Sequence, residues 1–190
     1  MDYFDQELLD AKRALERERY TTVETGMYVG EELLTFKKTM IPDSAISIWL
    51  PNSFVLMPGE VKKIKYPSAN APAFIVTSLD FSVNIGFSFL PAVLVDEEIK
   101  DLRKQFQTAI TNVNPAIKIQ NQKDEKTDQG NNMSWFDFCG YNVDGQSYNR
   151  NCLISLQKNV FHGIFNCRME DKNNWFEIVG EMFKTIEEAL

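Results

Sequence analysis

The chain has 190 residues, with 20 basic and 27 acidic side chains and a formal net charge of −7. A chain of this length fits one domain and buries about 70% of its unfolded surface, so the fold needs no metal ion or disulfide. The acidic balance argues against nucleic acid or an anionic membrane as the partner. Because no segment reads as an export signal or a membrane span, and only three cysteines occur, we expect a cytoplasmic protein with reduced thiols.

The first predicted element is an amphipathic helix from about Tyr3 to Arg19. Its apolar residues recur at helical spacing and form one narrow stripe, consisting of Phe4, Leu8, Ala11 and Leu15. The stripe can pack on the chain's own domain or on a second copy, which would make a homodimer. A seam of two turns is short for an independent coiled coil, which favours the first alternative. Residues 21–30 are predicted to be a connector, so residues 1–30 form an N-terminal segment and residues 31–190 a single domain.

The central part of the sequence predicts strand pairs. Two prolines, Pro67 and Pro72, make an extended entry to a hairpin whose strands cover 73–77 and 83–89. Alternation along the second strand places Val83, Ile85, Phe87 and Phe89 on one face. Gly86 leaves little side-chain bulk on the other face, so a helix could pack closely there; the alternative is a binding groove.

The remaining elements follow from periodicity and turn residues. Asp96 is the predicted N-cap of a helix that runs to Val113, and the polar segment 120–132 is predicted to be a mobile loop tip. Glu187 and Glu188 fall at the end of the closing helix, where the helix dipole disfavours them. The other predicted segments are strands at 32–40, 44–50, 116–119, 133–143, 146–157 and 160–168, a short helix at 59–64, and the closing helix at 173–190.

Two predicted turns set the register of the last three strands. With Asp144-Gly145 as a two-residue turn, Tyr141 faces Tyr148 and Asp137 faces Cys152. With Lys158-Asn159 as the next turn, Ser155 faces His162. One face then carries Trp135, Asp137, Cys139, Tyr141, Tyr148, Arg150, Cys152, Ile154, Leu156, Phe161, Phe165 and Cys167, and the other carries Phe136, Phe138, Asn151, Leu153, Ser155, His162 and Ile164.

The chemistry-bearing residues favour structural roles. Three cysteines on one face suggest a thiolate metal site or a redox pair, but they lack CxxC spacing and fit small buried hydrophobes better. His162 beside Ser155 lacks an orienting carboxylate and a strained nucleophile turn. No nucleotide, zinc-protease or hydrolase motif occurs. We therefore predict no catalytic residue, no metal site and no cofactor.

Aromatic and arginine residues are the candidates for binding, because both are favoured at protein interfaces. Tyr141, Tyr148 and Arg150 are predicted to form a patch near a hairpin tip, with a structural tyrosine pair as the alternative. On the opposite face the candidates are Phe136, Phe138 and His162. Asp137 with Arg150 is predicted to be a diagonal ion pair.

The order of elements resembles that of the PsbP-like superfamily, which includes the eukaryotic Ran-release factor, bacterial DcrB-like proteins and type VI secretion effector chaperones. The residues that carry the resemblance are Ile48-Trp49-Leu50-Pro51, Tyr66-Pro67-Ser68, Val83-Asn84-Ile85 and the closing helix from Trp175 to Ile186. The resemblance covers about residues 31–190. It implies an α+β fold, a mainly antiparallel sheet with helices on both faces in an α/β/α sandwich.

Three functional hypotheses follow. The first is a non-enzymatic, bacterial protein-binding or assembly module with an unidentified protein partner, including an adaptor or chaperone for a secreted protein; the superfamily resemblance and the missing catalytic set support it. The second is an enzyme of unrecognised type with a pocket near Arg150, Tyr148 and Asp137. The third is a carrier of an apolar ligand held between sheet and helix, which requires an apolar cavity of about 300 Å³ or more.

Overall fold

A computed structural model describes residues 3–95, 97–142 and 145–188, with side chains left undescribed at Tyr3, Phe4, Asp5 and Asn142. The described helices are α1 (Tyr3–Arg17), α2 (Gly59–Lys65), α3 (Glu98–Val113) and α4 (Lys172–Lys184), with a 3₁₀ turn at Met169–Asp171. The strands are β1 (Thr21–Thr22), β2 (Gly26–Val29), β3 (Glu32–Leu34), β4 (Phe36–Met40), β5 (Ile46–Pro51), β6 (Val55–Leu56), β7 (Phe74–Thr77), β8 (Asn84–Leu90), β9 (Ile119–Lys126), β10 (Asn132–Asn142), β11 (Gly145–Ser155), β12 (Val160–Arg168) and β13 (Glu187–Glu188).

A seven-stranded antiparallel sheet forms the centre of the fold, in the order β6-β7-β8-β12-β11-β10-β9. Helix α4 packs on one face of this sheet and α3 on the other. Two three-stranded sheets, β1-β2-β3 and β13-β5-β4, complete the structure. The predicted α+β class, with a mainly antiparallel sheet and helices on both faces, is confirmed.

The main core lies between the large sheet and α4. Apolar residues of the predicted closing helix are buried here, at Trp175, Ile178, Val179, Met182 and Phe183. Each such side chain contributes about 1.5–3 kcal/mol through burial. Helix α3 packs less deeply, because only Ile99 and Arg103 are buried on it and Val113 is exposed.

The structure corrects the predicted connector and the first predicted strand. Residues 21–34 contain three short strands, and Val23 and Met27 belong to the core. Residues 32–40 are two strands rather than one, since β3 pairs with β2 and β4 pairs with β5. The division of the chain at residue 30 stays a prediction.

The predicted loop tip at 120–132 is wrong, because most of it is the edge strand β9. Its sequence is polar and nearly every side chain is exposed, so no alternation of apolar residues marks it as a strand. Backbone pairing with β10 holds it in the sheet. Exposed charged residues on this edge, such as Lys123 and Lys126, discourage pairing with another chain.

The predicted end of the closing helix is also corrected. Helix α4 ends at Lys184, and Glu187 and Glu188 form strand β13 beside β5. Glu187 forms an ion pair with Lys38, and its carboxylate accepts a hydrogen bond from Ser47 Oγ at 3.2 Å. Glu188 accepts a hydrogen bond from the Gln157 backbone at 3.0 Å. The carboxylates are therefore paired and do not oppose a helix dipole.

The register of the meander is shifted by two residues from the prediction. Asn142 pairs with Gly145, and the two residues between them in the chain, Val143 and Asp144, lie outside the described residues. Gly145 has a φ of +116° and is the first residue of β11, so it belongs to a strand and not to the predicted two-residue turn. In the next hairpin Ser155 pairs with Val160, and His162 faces Leu153. A shift of two keeps every side chain on its predicted face, because strand side chains alternate with a period of two.

The central hairpin is confirmed, with Val83, Ile85 and Phe87 buried on the core side. The low face at Gly86 does not receive a helix, because Pro72 packs there instead. A methyl group at Gly86 would lie 2.7 Å from Pro72 Cγ. The predicted N-cap of α3, Asp96, lies outside the described residues.

We expect Gly86→Ala to lower the free energy of unfolding by about 1–3 kcal/mol, because the added methyl overlaps a rigid proline ring in a packed site. Gly59→Ala is the matched control, since nothing lies within 4 Å of the position of its added methyl. Urea denaturation of both variants measures the difference. Equal stability of the two variants would contradict the packing of Pro72 on Gly86.

Candidate functional site

The predicted binding residues do not form one surface. Tyr148 and Arg150 are buried beneath α4, whereas Tyr141 is 63% exposed. The expected patch of these three residues is therefore corrected, and Tyr141 alone stays a predicted contact residue. Its partner across the strands is Gln146, whose amide lies 3.3 Å from the Tyr141 hydroxyl.

Arg150 and Asp137 form a closed ion pair between the sheet and α4. They are direct cross-strand partners, not diagonal ones as predicted. Arg150 Nε donates to Asp137 Oδ1 at 2.8 Å, and Nη2 donates to Oδ2 at 3.2 Å. A third donor, Nη1, bonds the Phe176 carbonyl oxygen at 3.1 Å. The side chains are 2% and 0% exposed.

Aromatic rings complete the enclosure of this pair. The guanidinium carbon of Arg150 lies 4.1 Å from the ring centre of Trp135 and 4.5 Å from that of Phe176, which is favourable cation–π geometry. Burial raises the pKa of the Tyr148 hydroxyl far above its ordinary value. Burial alone would lower the pKa of Arg150, but its hydrogen bond to Asp137 contributes to a net rise. Arg150 borders a pocket of about 210 Å³, but it and Asp137 are buried and paired with each other, so neither is a free reacting group for the enzyme hypothesis.

The candidates on the opposite face lie beneath α3. Phe136 is fully buried and stacks beside the half-buried Phe138, with ring centres 6.1 Å apart. His162 is buried between the sheet and Phe106, 4.7 Å between ring centres. Its Nε2 lies 2.8 Å from Asn151 Oδ1. Burial lowers the pKa of His162 to about 4, so the imidazole is neutral at pH 7.

The cysteines share one face, as predicted. Tyr148 lies between two of them, paired with Cys139 on one side and with Cys167 on the other. All three thiols are free. Burial raises the pKa of Cys152 strongly and that of Cys167 to about 12, which makes them poor nucleophiles. Among the described side chains, no three that could ligate a metal are grouped.

A cleft of about 600 Å³ opens where β8, β11 and β12 reach the same end of the sheet. No local sequence pattern indicates this cleft, because its residues come from four separate segments. Its charged groups are of both signs and its other groups are mainly amides and hydroxyls. The lining consists of Lys65, Asp80, Phe81, Ser82, Asn84, Gln146, Ser147, Asn166, Cys167, Arg168 and Glu170.

A strained turn forms one wall of this cleft. Phe81 has a φ of +61°, a conformation that costs a bulky residue about 1–3 kcal/mol. The Asp80 carboxylate holds the turn by accepting hydrogen bonds from Ser78 Oγ at 2.6 Å and Ser82 Oγ at 2.8 Å. The Ser78 hydrogen bond is the main reason that the pKa of Asp80 falls to about 2. The polar lining does not suit an apolar ligand, so this cleft gives the carrier hypothesis no support.

Helix α1 is the described element with the most exposed apolar stripe. Every described side chain from residue 6 to residue 19 is exposed, including Leu8 at 65% and Leu15 at 58%. The expectation that the stripe packs on its own domain is therefore wrong. Arg17 holds the base of the helix, since its Nη2 donates to the Gly30 carbonyl and to Glu31, both at 2.9 Å. Its guanidinium also lies 5.1 Å from the Tyr28 ring centre.

The sheet order, the helices on both faces and the short N-terminal strands define an α/β/α sandwich around an antiparallel sheet. This is the PsbP-like fold, as the sequence predicted. The structure is similar to the solution structure of cyanobacterial PsbP (CyanoP) from Synechocystis sp. PCC 6803, with a TM-score of 0.60 at 8% identity; the match covers 86% of this chain and 98% of that one.

Two further structures share the fold. LpqN, involved in cell envelope biogenesis of Mycobacterium tuberculosis, has a TM-score of 0.53 at 10% identity, over 90% of this chain and 99% of that one. A Bacteroides thetaiotaomicron VPI-5482 protein has a TM-score of 0.51 at 12% identity, over 81% of this chain and 48% of that one. Comparison of the sequence with family models and with curated proteins found no match. No helix among the described residues has the length and apolarity to cross a membrane.

Proposed function

We propose that this chain is a non-enzymatic protein-binding or assembly module whose contact element is α1. The observation that carries the proposal is the exposure of Leu8 and Leu15 on α1. The C-terminal end of this helix is bound to Gly30 and Glu31 through Arg17. A helix of 15 residues without packing is marginal in water. Its apolar stripe is therefore expected to be covered by another protein when the helix is stably formed.

The fold supports the same class of function. Similar structures include LpqN, which is described as involved in cell envelope biogenesis, and the Arg150–Asp137 site is closed. A narrower form of the proposal is a bacterial, cytoplasmic adaptor or chaperone for a secreted protein. It is supported by the resemblance to effector chaperones. Finding that the neighbouring genes encode a secreted protein, and that the two proteins copurify, would test it.

We expect Leu8→Glu with Leu15→Glu to reduce capture of the partner by about tenfold or more, because charged groups replace the apolar contact surface. The control is Gln6→Glu with Arg13→Gln, which changes the net charge by the same −2 on the opposite side of the helix. Affinity capture from the native host, quantified protein by protein, compares the two variants with the unmodified chain. Identical sets of captured proteins for all three chains would contradict the proposal.

A further inference from the structure

We infer that the partner of α1 is a second copy of this chain, which pairs through α1 as a short two-stranded coiled coil. This inference rests on the proposed function and names the occupant of the same surface. Leu8 and Leu15 are seven residues apart with Ala11 between them, so both leucines take the a position of a heptad repeat and Ala11 takes the d position.

Charged residues flank the apolar stripe on both sides. In this heptad Glu7 takes a g position and Lys12 an e position, and both side chains are exposed. In a parallel pair, Glu7 of one copy lies opposite Lys12 of the second copy, and the symmetry of the dimer makes the contact twice. The parallel pair therefore matches opposite charges and brings no like charges together at these positions.

Helix α1 is nearly neutral, although the whole chain is not. The chain has a net charge of −7, which opposes the association of two copies. Helix α1 itself carries four acidic and three basic residues, so the α1 helices of two copies repel each other little. The outer side of the helix carries the polar residues Gln6 and Arg13, whereas Leu8 and Leu15 lie on the inner side; Leu9, which is 42% exposed, lies beside the stripe. A second copy therefore matches both the apolar stripe and the flanking charges.

A seam of two heptads predicts weak association that depends on concentration. Sedimentation equilibrium of the full chain, up to its solubility limit, should show a rise from 21.9 kDa toward twice that mass. Leu8→Glu should weaken the association by about tenfold or more, because a charge replaces an apolar contact on both sides of the symmetric seam. A single-chain mass at every concentration overturns the inference.

Charge exchange tests the flanking contacts. Lys12→Glu should weaken dimerisation about threefold to tenfold, since two attractions become repulsions. Arg13→Glu makes the same charge change on the outer side and should leave the dimer unchanged. Adding Glu7→Lys to Lys12→Glu should restore the parallel dimer, because the same two contacts then form with their charges exchanged. If Lys12→Glu and Arg13→Glu behave alike, the charge-matched coiled coil is overturned.

The two proposals fail in different ways. A chain that stays monomeric but loses a different captured protein on Leu8→Glu retains the proposed function and loses this inference. A chain that stays monomeric and captures the same proteins with and without the apolar stripe loses both.

Discussion

Arg150→Met should lower the free energy of unfolding by about 3–5 kcal/mol, the largest effect that the structure predicts. The substitution keeps a long side chain between Trp135 and Phe176 but removes the cation. Asp137 is fully buried, so its carboxylate would then lose its charged partner in an apolar site, and breaking one side of a buried ion pair has a cost of this size. Urea denaturation followed by tryptophan fluorescence measures it.

The double variant Arg150→Met with Asp137→Leu separates the ion pair from simple packing. Replacing both members of a buried pair by apolar residues is often neutral or stabilising, so most of the lost stability should return. The coupling energy from this double-mutant cycle reports the pair itself. Additive losses in the double variant would show that the two residues act independently, contrary to the observed two-point hydrogen bonding.

The faces of the meander could be predicted because a register error of two residues leaves them unchanged. Alternation has a period of two, and the two turn errors each shifted the pairing by two residues. The sequence therefore places Asp137 and Arg150 on the correct face, but it does not pair them as direct cross-strand neighbours. Burial was harder to predict, because whether α4 covers a strand face depends on contacts between residues distant in the chain.

Strand β9 shows what local sequence cannot specify. Its side chains are polar on both faces, so the usual signal of a strand is missing. The strand exists because β10 offers an unpaired backbone edge next to it. The same reasoning applies to Glu187 and Glu188, whose extended conformation depends on pairing with β5 and on the Lys38 ammonium group.

The polar cleft and the exposed stripe of α1 were beyond local patterns for a related reason. Phe81 gives no sequence signal of a left-handed conformation, because bulky residues rarely adopt it. The sequence predicts the stripe of α1 but favours its packing on the chain's own domain, and the structure contradicts that packing. Which surface covers it is a tertiary or quaternary property, and the structure leaves Leu8 and Leu15 uncovered by the chain itself.

His162 should make the protein less stable in acid. Burial holds its pKa at about 4, below the ordinary value of 6.5, so below pH 6.5 the unfolded chain binds a proton that the folded chain does not. Stability from this residue is therefore complete above pH 6.5 and declines as the pH falls toward 4. The difference of roughly two and a half pKa units corresponds to about 3 kcal/mol.

The variant His162→Gln isolates this contribution, because glutamine retains a side-chain amide that can bond Asn151 but does not titrate. We expect the stability of the native protein to fall by about 3 kcal/mol more than that of the variant between pH 7 and pH 4. Urea denaturation at a series of pH values gives both curves, and subtracting them removes the carboxylates that titrate in common. Parallel curves would mean that His162 is accessible to protons in the folded state, which its position between Phe106 and the sheet contradicts.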